Sequence, residues 1–148
     1  MLLLRALQRV GTHLYLAPMQ TQIRQIIWKG MDFDGKPFLS AIPDILIARK
    51  NDARMELELV NGSRIVFAGS NNISGLIGTN PVTIIYSEFS LHHPMARPYL
   101  NPILIQNGGL EIINTTPRGM NHCYELLEVV RDNPRYFVQH LSVEQTFD

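Results

Sequence analysis

The stretch VTIIYSEFS, Val82 to Ser90, runs from an apolar segment directly into a serine and a glutamate. Its consecutive β-branched and aromatic residues predict a buried strand, because such side chains pack well on a pleated surface. Structural glutamates usually lie on solvated faces. Glu88 at the tip of so apolar a strand therefore indicates either a cap for a following helix or a chemical role.

The segments on either side of this stretch alternate between strand and helix patterns. A strand is predicted at 12–17 and a helix within 19–30. A helix interrupted near its two prolines is predicted at 95–105, followed by another buried strand at 110–114. Strands that alternate with helices favour right-handed crossovers and a mainly parallel sheet with helices on both faces. Three isoleucines of the helix within 19–30 are expected on one face: Ile23, Ile26 and Ile27.

The remaining segments carry weaker patterns. A short amphipathic helix is predicted at 2–10, a short helix at 42–48, a longer helix at 120–133 and a last strand at 135–143. The longer helix is expected to turn three residues inward: Tyr124, Leu127 and Val130.

A β-hairpin is predicted around Asn61-Gly62. The sequence alternates apolar and polar residues on both sides of this dipeptide, which is the strongest short-range hairpin signal in a sequence. We place its antiparallel strands at 55–60 and 63–68. The predicted fold is therefore a single α/β domain over residues 1–148, with a mainly parallel sheet, flanking helices and an inserted hairpin.

Composition limits the classes of function. The 13 basic and 13 acidic residues cancel, so any contact with a polyanion must come from a local patch. A lone cysteine, Cys123, excludes an internal disulfide framework and a Cys-x-x-Cys metal site. The opening MLLLRALQRVG is too short in apolar residues for a signal peptide or a membrane span, so a cytosolic protein is expected.

The segment 30–37, GMDFDGKP, resembles a phosphate-binding loop only superficially. It matches G-x-x-x-x-G-K, but Pro37 replaces the Ser or Thr that reaches Mg²⁺ and lacks an N–H. Asp32 and Asp34 place negative charge where backbone amides must surround phosphates. The stretch also follows a helix instead of a strand, so we interpret it as a turn.

Three histidines and the cysteine do not predict a metal site. His92-His93 and His122-Cys123 lack the i, i+3 or i, i+4 spacing that points two ligands at one ion from a helix. Cys123 as a nucleophile is equally weak, because a lone cysteine on a helix is usually packed. We interpret all four as structural residues.

Two predicted strand tips carry reactive side chains. Ser87 and Glu88 end the first, and Thr115 and Thr116 followed by Arg118 end the second. A Ser-Glu pair could cap a helix, but ligands of parallel sheets gather at the carboxyl ends of the strands. A glutamate to orient water, threonines near a terminal phosphate and an arginine as charge partner suit phosphoryl transfer.

These segments resemble the ATPase domain of bacteriophage terminase large subunits, the motors that package DNA into procapsids. The resemblance rests on GTNPVTIIYSEFS at 78–90 and on ARPYLNPILIQNGGLEIINTTPRGMNHCYELLE at 96–128. Upstream, HLYLAPMQTQIRQIIW at 13–28 and ELVNGSRIVFAGSNNISGLIG at 58–78 follow in the family's order. The resemblance covers nearly the whole chain and implies a P-loop NTPase-like fold.

The resemblance also assigns roles to individual residues. Glu88 matches the catalytic glutamate of the Walker B motif, and Thr115 and Thr116 match the motif that couples the phosphate state to movement. The family's metal-holding aspartate is Ser87 here, a hydroxyl that could contact Mg²⁺ only through water. An arginine that many members carry within the GLIG stretch, proposed as a finger towards the neighbouring subunit, is Ile77.

The resemblance begins at the helix that follows the Walker A loop and stops before the nuclease domain. Without the loop, the β- and γ-phosphates lose their main cradle, so we expect this chain alone to bind ATP and Mg²⁺ weakly or not at all and to be inactive alone. The missing strand would lie beside 110–114, so an open sheet edge is expected there.

Partners and alternatives follow from the same resemblance. The family implies double-stranded DNA, a portal protein and a small terminase subunit as partners, with possible homo-oligomers and a location in the bacterial cytoplasm. One alternative is a non-enzymatic prophage remnant or protein-interaction module on the same scaffold. Another alternative is a helicase-like ATPase fragment, because the same residues at the strand tips would suit ATP hydrolysis in that class of protein.

Overall fold

A mixed β-sheet organises the first part of the chain in a computed structural model that describes residues 1–142. The chain divides into two compact units, Met1–Thr116 and Pro117–Asp148. The sheet belongs to the first unit. The prediction of a single domain over the whole chain stays a prediction.

Six strands form this sheet within the described residues, in the order β2-β3-β4-β1-β5-β6. They are β1 Thr12–Ala17, β2 Ile47–Asn51, β3 Glu56–Leu59, β4 Arg64–Gly69, β5 Pro81–Ser87 and β6 Leu110–Asn114. The four strands β4, β1, β5 and β6 are parallel, whereas β2 and β3 add antiparallel to β4. The mainly parallel α/β sheet and the hairpin around Asn61-Gly62 are confirmed, and β1 and β6 have the predicted bounds.

Five α-helices occur in the described residues. They are α1 Leu2–Gln8, α2 Gln20–Gln22, α3 Ser74–Ile77, α4 Ala96–Gln106 and α5 His122–Val130. A core cluster lies where α1, the segment after α2 and the hairpin meet: Ala6, Ile23, Trp28, Met55, Leu57, Leu59, Ile65 and Phe67. Helix α4 contacts β5 and buries Ala96, Leu100 and Leu104. Burial of apolar side chains on the strands and helices fixes the sheet that positions the strand tips.

The predicted helix within 19–30 changes type after its first turn. Helix α2 continues as a π-helix, Ile23–Trp28, and the Lys29 N–H donates to the Arg24 carbonyl at 3.0 Å. In an i to i+5 winding, Ile23 and Trp28 share the buried face. Ile26 is 54% exposed.

The predicted short helix at 42–48 is wrong in its second half. A 3₁₀ turn at Asp44–Leu46 leads into β2, a strand that the sequence pattern did not indicate. Strand β2 reads IARKN and is largely solvent-facing, so it has no alternating pattern. Strand β2 forms because it pairs antiparallel with β3.

Helix α4 passes through both prolines without interruption, which corrects the predicted break. Pro98 lies in the first turn, where a missing N–H costs nothing. Pro102 lies inside the helix. The burial of Leu100 and Leu104 supports the helix on both sides of Pro102.

The second unit contains α5 and an irregular segment. Asn121 caps α5, because its side-chain oxygen accepts from the Cys123 and Tyr124 N–H groups at 3.0 and 3.3 Å. Val130 is buried and Leu127 half-buried, but Tyr124 is 39% exposed, so the inward placement of Tyr124 is wrong. The predicted strand does not form over residues 135–142, and its last residue, 143, lies outside the described residues.

Among residues 1–142, no helix has both the length and the apolar character that crossing a membrane requires.

Candidate functional site

The tips of β5 and β6 lie side by side at the carboxyl edge of the sheet. The two strands pair in parallel, and their last matched residues are Ser87 and Asn114. Glu88 and Thr115 therefore leave the sheet from adjacent positions. The two strand tips that the sequence singled out are therefore neighbours.

Glu88 has a left-handed backbone conformation, with φ 58° and ψ 48°. This conformation costs a non-glycine residue roughly 1–2 kcal/mol, because its Cβ approaches the following carbonyl oxygen. The Glu88 N–H donates to the Asn114 side-chain oxygen at 3.3 Å. A strained residue persists only where its surroundings fix it, and such residues cluster at functional sites.

A hydroxyl network joins the two strand tips behind Glu88. The Ser90 N–H donates to Thr115 Oγ1 at 2.9 Å, and Thr115 Oγ1 donates to Ser90 Oγ at 2.9 Å. Ser90 Oγ also donates to the Thr116 carbonyl at 3.1 Å. These hydrogen bonds connect the turn after β5 with the segment after β6.

An aromatic cluster supports the turn that carries Glu88. Tyr86, Phe89 and His92 are buried, with ring centroids 5.3 Å apart for Tyr86–Phe89 and 5.5 Å apart for Tyr86–His92. His92 Nε2 lies 2.8 Å from the Ser87 carbonyl, to which it donates when protonated at that nitrogen. His92 is thus a structural residue, as the sequence indicated, and it braces the backbone one residue before Glu88.

An open cleft of about 220 Å³ borders Glu88 on the side of β1. Ser87 and Glu88 line it together with Gln22, and the other lining residues are mostly apolar: Tyr15, Ala17, Pro18, Ile23, Ile26 and Ile27. Glu88 is the only charged residue in that lining. The π-helix therefore forms a wall of the cleft through Ile23, Ile26 and Ile27.

The oxygen atoms at this edge belong to the class that hard cations and phosphates engage. Glu88 offers a carboxylate, and Ser87, Ser90 and Thr115 offer hydroxyls. Within the part of the chain that the structure describes, no group of three His, Cys, Asp or Glu residues could hold a metal ion.

Arg118 lies in the second unit. There its carbonyl accepts a hydrogen bond from Asn121 Nδ2 at 3.4 Å. The role of Arg118 as a charge partner stays a prediction, as do the individual roles of Ser87, Glu88, Thr115 and Thr116.

Two residues that shape the site were missed from sequence. Ser90 and Asn114 supply the side chains that connect the two strand tips. A serine and an asparagine at loop starts are common turn residues, so neither stood out. Ser90 and Asn114 could be identified only from the register of β5 with β6, which brings the two strand tips together.

The segment that resembles a phosphate loop is a turn. Met31 and Pro37 form an isolated antiparallel bridge, and the Gly35 N–H donates to the Asp32 carbonyl at 3.0 Å. Asp32 Oδ1 accepts from the Asp34 and Lys36 N–H groups, both at 2.9 Å. These amides are therefore already occupied by a carboxylate, which confirms the interpretation as a turn.

Comparisons with known proteins give matches in solved structures alone. No family model and no curated protein matches the chain. The large terminase ATPase domain of Thermus phage P74-26 matches with a TM-score of 0.63 and 18% identity, over 83% of this chain and 55% of that chain. An arginine-to-alanine mutant of the same domain matches with a TM-score of 0.61, over 82% of this chain and 54% of that chain.

The chain thus spans about half the length of the solved structures that it matches. At 18% identity the likeness concerns the fold, and it agrees with the resemblance inferred from the sequence. The six-stranded, mainly parallel sheet with its flanking helices is similar in fold to a phage large terminase ATPase domain.

Proposed function

We propose that this chain supplies part of an ATP-hydrolysis site of the phage large terminase type. The observation that supports this most is the placement of Glu88, held in a left-handed conformation at the tip of β5, beside Thr115 at the tip of β6. A fixed carboxylate next to hydroxyls at the carboxyl edge of a parallel sheet suits phosphoryl transfer. The similarity in fold to a terminase ATPase domain supports the same assignment.

In this proposal Glu88 orients the attacking water. Its backbone is held by the bond to Asn114 and by the buried aromatic cluster, so the carboxylate starts from a fixed point. A fixed orienting group lowers the barrier by holding the nucleophile in line with the phosphorus. Bound Mg²⁺ would neutralise charge on the phosphates, and the Ser87 hydroxyl could hold it only through water, which predicts weak metal affinity.

Thr115 and Thr116 would report the state of the terminal phosphate. Thr115 Oγ1 already bonds to Ser90, two residues beyond Glu88, and the Thr116 carbonyl accepts from the same serine. A phosphate that competes for the Thr115 hydroxyl would loosen this link and move the turn after β5.

The wider role is also proposed. The chain would act within an ATP-driven motor that moves double-stranded DNA with a portal protein and a small terminase subunit, in the bacterial cytoplasm. Alone, it would bind ATP and Mg²⁺ weakly, because the described residues at this edge offer a carboxylate and hydroxyls but no cradle of backbone amides.

Transplantation tests the hydrolysis role directly. Residues 81–90 and 110–116 would replace the matching strands and tips of the Thermus phage P74-26 ATPase domain, and ATP turnover of the chimera would be measured. Because both segments are transferred together, the hydrogen bonds between the two strand tips are kept in the chimera. We expect the chimera to hydrolyse ATP, and the same chimera with Glu88→Gln to lose turnover by roughly a hundredfold or more.

The matched control is the chimera with Glu111→Gln, which alters a carboxylate on β6 away from the strand tip. We expect it to keep most of the turnover. A chimera that folds, as judged by circular dichroism and a cooperative thermal transition, but shows no Glu88-dependent turnover would contradict the proposed role.

A protein-interaction module is the second candidate. The open edge of β6 favours it, because this strand pairs with β5 and with no other strand of the described residues. The two candidates differ in their dependence on Glu88. An interaction module would tolerate Glu88→Gln in every functional assay.

A further inference from the structure

Both polar atoms of one peptide group, the group that joins Ser87 to Glu88, are held by side chains. The Ser87 carbonyl oxygen lies 2.8 Å from His92 Nε2, and the Glu88 N–H donates to Asn114 Oδ1 at 3.3 Å. A carbonyl oxygen can only accept, so His92 carries a proton on Nε2 in this contact. Because the peptide group is planar, holding its oxygen and its N–H fixes the orientation of the whole group.

The peptide group on the other side of Glu88 is held as well. The Glu88 carbonyl oxygen accepts from the Leu91 N–H at 2.9 Å, in the 3₁₀ turn Phe89–Leu91. With the groups before and after its Cα atom both held, the backbone dihedrals of Glu88 are set at φ 58° and ψ 48°. The left-handed conformation of Glu88 is therefore imposed by neighbouring contacts, against its own preference.

His92 is the better anchored of the two side chains that hold this peptide group. It is 3% exposed, and its ring centroid lies 5.5 Å from that of Tyr86 and 6.0 Å from that of Phe89. Its backbone N–H donates to the Phe89 carbonyl at 3.0 Å. Asn114, in contrast, is exposed and makes the longer contact. The donor that reaches the Ser87 carbonyl is thus fixed in a packed aromatic cluster.

We propose that His92 is a positioning residue for Glu88. Its Nε2–H holds the peptide group between Ser87 and Glu88, so that Glu88 stays left-handed and its carboxylate leaves the tip of β5 in one fixed direction. The inference deepens the proposed hydrolysis and rests on it wherever turnover is concerned. A Glu88 that relaxed to another backbone conformation would carry its side chain away from that direction. A misplacement of about 1 Å at a reacting centre can cost about a hundredfold in rate.

Glycine and alanine at position 88 measure whether His92 imposes the left-handed backbone. Both variants lack the carboxylate, but glycine adopts this conformation freely, whereas the Cβ of alanine disfavours it. In the otherwise wild-type chain we expect Glu88→Gly to unfold at a higher urea concentration than Glu88→Ala. Adding His92→Phe to each keeps an aromatic ring in the cluster but removes the donor. Alanine can then relax, so we expect the advantage of glycine to disappear.

His93→Phe is the matched control for this comparison. His93 is the exposed neighbour of His92, and its Nδ1 accepts from the Met95 N–H at 3.2 Å. Adding His93→Phe should leave the advantage of glycine unchanged. His92→Leu, which is smaller than His92→Phe and also lacks a donor, serves the same comparison if His92→Phe does not fold.

The protonated nitrogen of His92 can be read without any substitution. A ¹⁵N–¹H correlation spectrum of the histidine rings in the full chain at neutral pH shows which ring nitrogens carry protons. We expect a proton on Nε2 of His92, because the Ser87 carbonyl needs a donor there. A ring that carries its proton on Nδ1 alone would overturn the proposal.

Turnover measures the consequence for hydrolysis. A chimera that carries residues 81–92 and 110–116 in the Thermus phage P74-26 ATPase domain includes both Glu88 and His92. We expect His92→Phe to lower kcat by at least about tenfold and to leave KM for ATP within about twofold, because the carboxylate acts on the water and not on substrate binding. His92→Gln, whose amide can also donate, should recover most of kcat, and His93→Phe, introduced with residue 93 included, should keep it.

The outcomes separate this inference from the proposed function. A chimera without Glu88-dependent turnover would contradict the hydrolysis role, and the urea comparison would still decide whether His92 holds Glu88. An advantage of glycine that is equal with and without His92→Phe would overturn the positioning role. So would its absence from the otherwise wild-type chain, or an active chimera in which His92→Phe leaves kcat unchanged.

Discussion

At the scale of single residues, Glu88, the proposed catalytic residue, has a costly backbone conformation. Its left-handed backbone disfavours every residue with a Cβ, whereas glycine adopts it freely. We expect Glu88→Gly to be more stable than Glu88→Ala by about 1 kcal/mol, although glycine is normally the less stable of the two. Both variants remove the carboxylate, so their difference isolates the backbone. Urea denaturation measures it, and a Glu88→Ala that is the more stable would show that the site stores no strain.

His13 gives the protein a pH-dependent stability. Burial lowers the pKa of His13 from its usual 6.5, and the nearby Arg5 and Arg9 lower it further, against the raising effect of the hydrogen bond to the Arg9 carbonyl. Below pH 6.5 the unfolded chain therefore takes up a proton that the folded chain resists. The free energy of unfolding should fall as the pH drops from 6.5 towards the lowered pKa of the folded state.

Denaturation at neutral pH and at about pH 5.5 measures this dependence. His13→Gln keeps a donor for the Arg9 carbonyl but cannot titrate, so its stability should change less over the same interval. The exposed His140 provides the control, and His140→Gln should behave like the wild type. An unchanged pH dependence in His13→Gln would contradict the assignment.

At the scale of elements, the end of β4 is locked to the start of α2 through Gly69. The Gly69 N–H donates to Gln20 Oε1, and the Gln20 N–H donates to Asn71 Oδ1 at 3.1 Å. A Cβ at Gly69 would lie 2.1 Å from the Gln20 nitrogen, so α2 would have to move. We expect Gly69→Ala to destabilise the fold by about 1–3 kcal/mol.

Gly78 is the matched control for this substitution. A Cβ there meets no atom within 4 Å, and its φ of −75° suits any residue. Thermal denaturation should show a clear loss for Gly69→Ala and almost none for Gly78→Ala. Equal transition temperatures for the two variants would mean that α2 is not held at this point.

The elements also show how far sequence patterns reach. Strands β1 and β6 were predicted because their own side chains favour extended backbone, and the hairpin because Asn61-Gly62 favours the turn. Strand β2 could not be predicted from its own residues, because its stability comes from pairing with β3. The π-helix could not be predicted either, because it buries Ile23 and Trp28 on one face through a spacing of five residues, which an α-helix does not have. The strand tips of the candidate site were predicted, but Ser90 and Asn114 were not, since only the register of β5 with β6 brings them together.

At the scale of the whole molecule, the six-stranded sheet of the described residues brings the tips of β5 and β6 together at its carboxyl edge. The candidate site lies there, and the chain is similar in fold to a terminase ATPase domain. The central claim is that this edge meets the phosphates of Mg²⁺–ATP. We expect this edge to bind Mg²⁺–ATP with a dissociation constant in the millimolar range, because it offers hydroxyls and one carboxylate instead of a set of backbone amides.

A nuclear magnetic resonance titration of the chain with Mg²⁺–ATP tests this claim most directly. We predict amide shifts that rise over millimolar ligand and are confined to 87–91 and 114–116, and a Glu88→Lys variant in which they change in size and midpoint. Shifts that centre elsewhere on the chain, or none at these residues at the highest concentration, would contradict the account.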